Sequence, residues 1–373
     1  MAGKRAPRVL VTADTVGGVW TYAVELARAL GERGVRVALA TMGAPLSPHQ
    51  RQDLAGCPRL VLYESSYRLE WMQDCWDDVA AAGEWLLQLE REFRPDLVHL
   101  NQYAFGALPF CAPTLVVAHS CVLSWWRAVR GTAAPAEWDR YRRAVKRGLA
   151  GAGMVGAPTR AMLQSLAANY GHARAGLVLG NGRSPQLFAP GRKQRMVLAA
   201  GRFWDEAKNL RALERVAPAL SWPVKVAGAT TQPDGGTVVP AGVRCLGELP
   251  QEELARQLAR AAIYALPARY EPFGLSVLEA GLSGCALVLG DIPSLREIWG
   301  PAAVYVPPDD HEALRAELAR LIAQPAQRAQ LARAALARAL HFTPTRMCMG
   351  YLAAYARLQP RFAQQATEEP VCV

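Results

Sequence analysis

Read by the spacing of its apolar positions, the chain alternates between short apolar runs and longer segments of helical period. RVLVTA (8–13) has the length of a buried strand, DTVGGV is a glycine turn, and WTYAVELARALGERG carries helical spacing up to Gly34, a C-terminal cap. VRVALAT follows as a second strand. The chain therefore opens as a β-turn-α-β unit, the start of a parallel doubly wound sheet. The pattern then predicts a helix in DDVAAAGEWLLQLEREFRP, strands in DLVHL (96–100) and PTLVVAHS (113–120), and a basic helix in PAEWDRYRRAVKRGLAGA. GMVGAPT reads as strand and turn, RAMLQSLAANYG as a helix, and AGLVLGNG as a last short strand.

The alternation breaks at RSPQLFAPGRK (183–193), a polar stretch rich in Pro and Gly that reads as a linker. A second alternation begins after it. RMVLAAG, VKVAGA, VRCLGEL, AIYALPAR, ALVLGD and AVYVPP are strands; KNLRALERVAPAL, PQEELARQLARA, SVLEAGLSG and SLREIWG are helices between them. Two further helices, DDHEALRAELARLIAQ and PAQRAQLARAALARAL, precede an FTPTR turn and a final helix through MCMGYLAAYARL. The fold class expected is α/β, with two Rossmann-like doubly wound domains. The boundaries expected are 1–185, 186–345, and a terminal segment 346–373. A ligand site is expected in the cleft between two such domains.

Length and composition agree with two globular domains: 373 residues, 51% hydrophobic and 20% charged. An extended disordered chain could not carry that much apolar material. Lys plus Arg is 42 and Asp plus Glu is 32, for a net charge of +10. Up to Gly180 there are 20 basic and 15 acidic side chains, and beyond it 22 and 17, so each half carries +5. That even spread excludes a basic nucleic-acid tail. One concentration stands out: Arg140, Arg142, Arg143, Lys146 and Arg147. The eight cysteines form no C-x-x-C pair or zinc spacing, and Cys245 and Cys285 sit in apolar runs, the usage of a reducing cytosol. The opening MAGKRAPRVLVTAD has too short an apolar run for a signal peptide, and no run reaches the roughly 18–20 residues of a membrane span.

Glu271 and Glu279 stand eight positions apart in ARYEPFGLSVLEAGLSGCALVLGD, with Pro272 and Gly274 between them. Pro272 keeps Glu271 out of helical conformation, in the loop after a strand. The next helix is expected to start near 274–276. A helix start offers free N–H groups and a positive dipole end, suited to anionic or hydroxyl-rich ligands. Two separated carboxylates can each bind a hydroxyl pair, as on ribose and on a sugar. Spacing alone favours reading them as ordinary surface glutamates, one of them near a helix N-terminus.

The full string resembles the signature of the retaining glycosyltransferases of family 4, which have the GT-B fold. The resemblance implies that Glu271 contacts the donor sugar and Glu279 the ribose hydroxyls of the nucleotide. It implies too that the backbone amides of Phe273, Gly274 and Leu275 meet sugar and diphosphate. AAGRFWDEAKNL is similar to the family's G-R-…-K-N motif, in which Arg202 and Lys208 would hold the diphosphate. Two cations aimed at one spot are what such a leaving group requires. Phe203 and Trp204 are bulkier than the family's usual aliphatic pair and are expected to alter packing more than charge. VAGAT and VRCLGEL resemble the segments that flank the base, bringing in Gly228 and Gly247, whose plain reading is turn chemistry.

In the first half, Gly17 and Gly18 expose bare backbone in the turn after the first strand, where a phosphate can approach closely. TVGGVW lacks the G-x-G-x-x-G dinucleotide fingerprint; the family uses a G-G turn against the leaving phosphate or the acceptor. His119 ends a strand, where doubly wound sheets place ligands, and the resemblance favours a donor-sugar contact. His99, Tyr103, Trp125, Trp126 and Arg127 lie at or beyond strand ends, where they line an acceptor pocket or pack in the core. The Trp, Tyr and Arg interleaving over 125–147 fits a peripheral membrane contact, a phosphorylated acceptor or RNA, or a solvated face. HFTPTRMCMGYLAAYARL is similar to the family's terminal segment, which crosses back onto the first domain.

The resemblance thus implies a retaining, hexosyltransferase-type enzyme using a nucleotide-sugar donor, UDP-sugar first and GDP-mannose next. The acceptor is unidentified, lipid-linked or polysaccharide by family habit. No cofactor is expected beyond the nucleotide-sugar co-substrate, and with no D-x-D motif no metal. A cytoplasmic protein is expected, at most peripheral at the inner membrane face. A sugar-nucleotide epimerase on the same fold is the alternative, against which the Glu-Pro-Phe-Gly string argues. A non-catalytic nucleotide-sugar or RNA binder is another, against which Glu271, Arg202 and Lys208 argue.

Overall fold

The computed structural model describes residues 5–171, 176–232 and 235–367; Cys372 and the opening Met-Ala-Gly-Lys lie outside them. The chain forms two compact units. One contains Met1–Ser124, Ala133–Gly182 and Pro344–Val373; the other contains Trp125–Thr132 and Arg183–Thr343.

The first unit runs β1 (Arg8–Asp14), α1 (Gly18–Glu32), β2 (Arg36–Met42), α2 (Pro48–Asp53), β3 (Leu60–Glu64), α3 (Trp76–Phe93), β4 (Leu97–Leu100) and β5 (Thr114–Val117). α4 (Val122–Arg130), whose residues from Trp125 on group with the second unit, α5 (Asp139–Gly151), β6 (Met154–Ala157), α6 (Arg160–Tyr170) and β7 (Leu177–Val178) follow. The strands make one parallel sheet in the order β3-β2-β1-β4-β5-β6-β7. Helices cover both faces of such a sheet, which is why its central strands read as unbroken apolar runs: β4 and β5 are buried at every position.

The second unit runs β8 (Gln194–Ala200), α7 (Leu210–Val216), β9 (Val224–Ala227), β10 (Arg244–Cys245), α8 (Gln251–Arg260), β11 (Ala261–Leu266) and α9 (Leu275–Leu282). It continues with β12 (Ala286–Gly290), α10 (Pro293–Trp299), β13 (Val304–Val306), α11 (His311–Ala323) and α12 (Pro325–Ala339). Its parallel sheet has the order β10-β9-β8-β11-β12-β13. Successive residues point to opposite faces. Leu198, Tyr264 and Leu266 join the core that holds Trp299, while Val197, Ile263 and Ala265 join the core under α7 and α11. The chain ends in α13 (Pro344–Leu358) and α14 (Ala363–Thr367), both grouped with the first unit.

Several elements differ from the sequence pattern. α2 and β3 fall where periodicity assigns nothing. α2 is a six-residue helix set by a capping box, in which Ser47 Oγ accepts from Gln50 N–H and Gln50 Oε1 accepts from Ser47 N–H. The helix expected from Lys208 starts at Leu210, because Asn209 takes a left-handed φ of 56° and leaves Lys208 in a 3-10 turn. FTPTR is not a separate turn: Pro344 opens α13, a position that needs no N–H. Cys245 is exposed on the edge strand β10, whereas Cys285 is buried as expected.

One backbone contact fixes the floor of the first unit. A Cβ on Gly148 of α5 would lie 1.7 Å from Tyr103 O, and one on Gly106, in the 3-10 turn Ala104–Ala107, 2.4 Å from Gly148 O. Only glycines allow this approach. Gly148→Ala is expected to lower stability by about 1–3 kcal/mol through overpacking. Urea unfolding of the variant against wild type measures it, and an unchanged midpoint would refute the contact.

Candidate functional site

In a doubly wound sheet the strand order reverses once, and the loops beyond the carboxyl ends of the two strands flanking that point leave a crevice. In the second unit the reversal falls between β8 and β11. The loop after β8 carries Arg202 and Lys208, and the loop after β11 carries Glu271. They meet there: Lys208 Nζ lies 2.5 Å from Glu271 Oε2, with side chains 13% and 12% exposed. Each keeps a small opening to solvent, so the pair is reachable by a ligand that can displace it.

The surrounding loops are tied to one another. Asn209 Nδ2 donates to Pro267 O at 2.9 Å and Pro308 O at 2.7 Å. Arg269 N–H donates to Ala207 O at 2.9 Å. Asp205 Oδ1 accepts from Ala207 N–H at 2.9 Å and from Trp125 Nε1 at 2.8 Å. Ser294 Oγ donates to Glu271 O at 2.6 Å. Phe203 is buried in the core, while Trp204 lies under the Arg202 guanidinium, 5.2 Å from ring centroid to Cζ. Trp204 therefore also supports one of the two cations.

Helix α9 starts beside Glu271. Its N-cap, Gly274, has a φ of 89° and no side-chain cap bond. That left-handed conformation favours glycine, and it leaves the first amides of α9 without a side-chain acceptor. Phe273 turns its ring into the core against Phe342, so only its backbone reaches the loop surface. Leu275 is half-buried. Gly228, with a φ of 138°, donates to Gly247 O at 2.7 Å, and a Cβ there would fall 1.9 Å from Gly201 O. Gly228 thus locks the β8 and β9 loops together, while Gly247 has open space around it.

Glu279 lies inside α9, 6% exposed, and carries an ion pair that spacing does not announce. Arg183 Nε is 2.8 Å from its Oε1. Arg183, placed in the linker by composition, is itself 2% exposed.

The first unit has its own reversal, between β1 and β4. Gly17 caps α1 there with a φ of 103° and no side-chain cap bond, and Gly18 opens the helix. After β4, Asn101 Nδ2 donates to Thr12 O at 2.6 Å, and its Oδ1 accepts from His119 Nε2 at 2.8 Å. The amide orientation fixes that direction and leaves His119 Nδ1 as an acceptor. His119 sits two residues beyond β5, half-buried, its ring 4.3 Å from that of Tyr22. Neither Asn101 nor Asp205 was marked by any motif.

The acceptor-side candidates separate. His99 is inside β4 and fully buried, so it does not line a pocket. It bridges Tyr355 OH, 2.7 Å from Nδ1, and Tyr22 OH, 3.3 Å from Nε2, and stacks on Tyr351. Tyr103 is 4% exposed, its hydroxyl donating to Ser120 O and its amide to Glu70 Oε1; it is a core residue. Burial pushes Glu70 up to about 7 against the backbone N–H bonds that hold it down. Trp125 and Trp126 are half-buried in an edge contact at 5.9 Å, and Arg127 is exposed. On α5, Tyr141 turns inward and Arg143, Lys146 and Arg147 face solvent. Among the described residues no helix is long and apolar enough to cross a membrane.

Two parallel-sheet units, each with a loop crevice at its order reversal, define a protein of the GT-B class. A family model described as Glycosyltransferase Family 4 matches residues 16–186, and one described as Glycosyl transferases group 1 matches 237–338. The chain belongs to glycosyltransferase family 4. It is 37% identical over 76 residues to the O-antigen chain mannosyltransferase B of Escherichia coli, an alignment that spans only 20% of each chain. A sucrose-phosphate synthase from Thermosynechococcus elongatus has a similar structure (TM-score 0.76, 19% identity, 95% of this chain and 99% of that one). So does Anabaena HepE, solved with UDP and glucose (TM-score 0.72, 15% identity, 94% of this chain and 100% of that one). At those identities the two structures establish the fold alone.

Burial, and then the charge of His119, lower His99 from 6.5 to about 3; burial lowers His119 too. A buried neutral histidine is charged only in the unfolded chain across that window. Unfolded molecules then bind the extra proton, so stability is full above 6.5 and falls as pH drops from 6.5 toward about 3. His99→Gln keeps a donor and an acceptor and should lessen that dependence, leaving the share of His119. Urea midpoints across the acid range compare the two; parallel curves would remove His99 as the cause.

Proposed function

We propose that the protein is a retaining glycosyltransferase that moves a sugar from a nucleoside-diphosphate sugar to an acceptor. The observation that carries this reading is the Lys208–Glu271 pair at the second unit's order reversal, beside the side-chain-uncapped start of α9. Breaking a sugar–phosphate bond puts negative charge on the departing diphosphate. Cations and helix amides already aimed at that position stabilise the charge without reorganising. Lys208, Arg202 and the first amides of α9 are those groups. When the diphosphate takes Lys208, Glu271 is released to accept from sugar hydroxyls. Glu279 binds the vicinal hydroxyls of the ribose, and Gly228 and Gly247 border the base through backbone.

With retention, the nucleophile approaches on the face the diphosphate leaves, and a phosphate oxygen takes the acceptor's proton. No protein base is then required, and Glu271 acts as a ligand rather than a base. In the first unit, the Gly17 turn and His119 are the groups read as facing phosphate and sugar. A UDP-sugar donor is favoured because HepE was solved with UDP; the mannosyltransferase relative keeps GDP-mannose second. The exposed Arg143, Lys146 and Arg147 face of α5 suits an anionic acceptor or membrane surface.

A nucleotide-release assay over UDP- and GDP-sugars, run with cell-extract fractions as acceptors, tests the assignment. Lys208→Ala and Glu271→Ala are each expected to lower turnover by about 100–1000-fold. Full turnover in either variant would refute the site. Donor consumption without any acceptor would indicate epimerisation instead.

Turnover is also expected to be insensitive to EDTA, because Lys208, Arg202 and the α9 amides take the place a divalent cation would fill on the diphosphate. A strict requirement for added magnesium in the same assay would overturn that expectation.

A further inference from the structure

Arg183 is held on every side. Its backbone N–H donates to Phe342 O at 3.0 Å, and its Nη2 donates to Gln251 Oε1 at 2.9 Å. Its guanidinium lies 4.9 Å over the ring of Phe188, itself 1% exposed. Its Nε is 2.8 Å from Glu279 Oε1, with side chains 3% and 8% exposed. Glu279 is fixed from the other direction by the backbone of α9.

A carboxylate withdrawn from water this far keeps its charge only beside a cation that it cannot lose to solvent. Arginine suits the task better than lysine: the guanidinium does not give up its proton, and its planar fork can be locked by several partners at once. A ribose presents two neighbouring hydroxyl donors. The matching acceptor must be ionised and already oriented, or ordering it is charged against binding.

We infer that Arg183 is a positioning residue for Glu279, keeping its carboxylate ionised and aimed so that it accepts hydrogen bonds from the ribose hydroxyls of the donor nucleotide. The inference rests on the reading of Glu279 given under Proposed function. It adds a specificity determinant from a segment outside both recognised motifs.

The test is calorimetric binding of UDP and GDP, each against its 2′-deoxyribose form, to the full chain. Wild type is expected to prefer the ribonucleotide by about 10-fold or more. Glu279→Gln should bring that preference close to unity. Arg183→Gln should do the same, Arg183→Lys should retain part of it, and the double variant Arg183→Gln/Glu279→Gln should lose no more than Glu279→Gln alone. A merely structural role would weaken both nucleotide forms together and leave their ratio intact. Should Arg183→Gln fail to fold, Arg183→Lys and the double variant, which keeps no unpaired charge, carry the test. Wild-type preference in Arg183→Gln or in Arg183→Lys, with preference lost in Glu279→Gln, overturns the role of Arg183 and leaves Glu279 standing. Losses that add in the double variant also overturn it. Preference retained in Glu279→Gln removes both.

Discussion

A parallel sheet cannot be closed by hairpins; each strand must be followed by a crossover that returns the chain to the same edge. Where the strand order changes direction, consecutive crossovers run to opposite faces, and the loops that start them diverge. The rest of this molecule depends on that constraint. It occurs once between β1 and β4 and once between β8 and β11. The loops after β1 and β4 hold the Gly17 turn and Asn101, and those after β8 and β11 hold the Lys208–Glu271 pair. Around the second, the loops are not left to wander: Asn209, Arg269, Asp205 and Ser294 tie them to neighbouring backbone. The crevice is therefore rigid in outline while its central pair remains reachable.

The two glutamates of the second unit show how one residue type takes two characters from its surroundings. Glu271 sits in a loop against a lysine on a flexible stem, with some access to solvent. Glu279 sits within a helix against an arginine anchored by four neighbours, with almost none. The first arrangement suits a group that must change partners during a reaction. The second suits one that must not move. Seven intervening residues put them on a loop and a helix rather than on one surface, and that difference of element decides the difference of environment.

Much of this was legible from sequence because the informative features are local. Unbroken apolar runs such as PTLVV and AIYAL mark strands buried on both faces. Pro272 and Gly274 mark where a loop yields to a helix. What was not legible is non-local. Arg183 lies among Pro, Gly and polar residues, so composition reads it as linker; its burial is decided by Gln251, Glu279 and Phe342 from elsewhere in the chain. His99 sits in an apolar strand, and only Tyr22 and Tyr355 from distant helices make it a bridging core residue. β3 is a half-buried edge strand without clean alternation, and α2 is shorter than the window in which helical period can be measured.

The bond between His99 and Tyr355 spans 256 residues, and its place in the core has a consequence for synthesis. A nascent chain emerges from the ribosome in order, and domains generally fold as units once their segments are available. The strands β1 to β7 are all made before α13, so the first sheet waits with β4 and α1 unsealed while the whole of β8 to α12 is translated. During that interval Tyr351 and Tyr355 are not yet available to pack on Tyr22 and His99. The contiguous stretch 183–343 therefore has the opportunity to fold before the earlier half is complete, and α13 acts as the closing step for the first strands made.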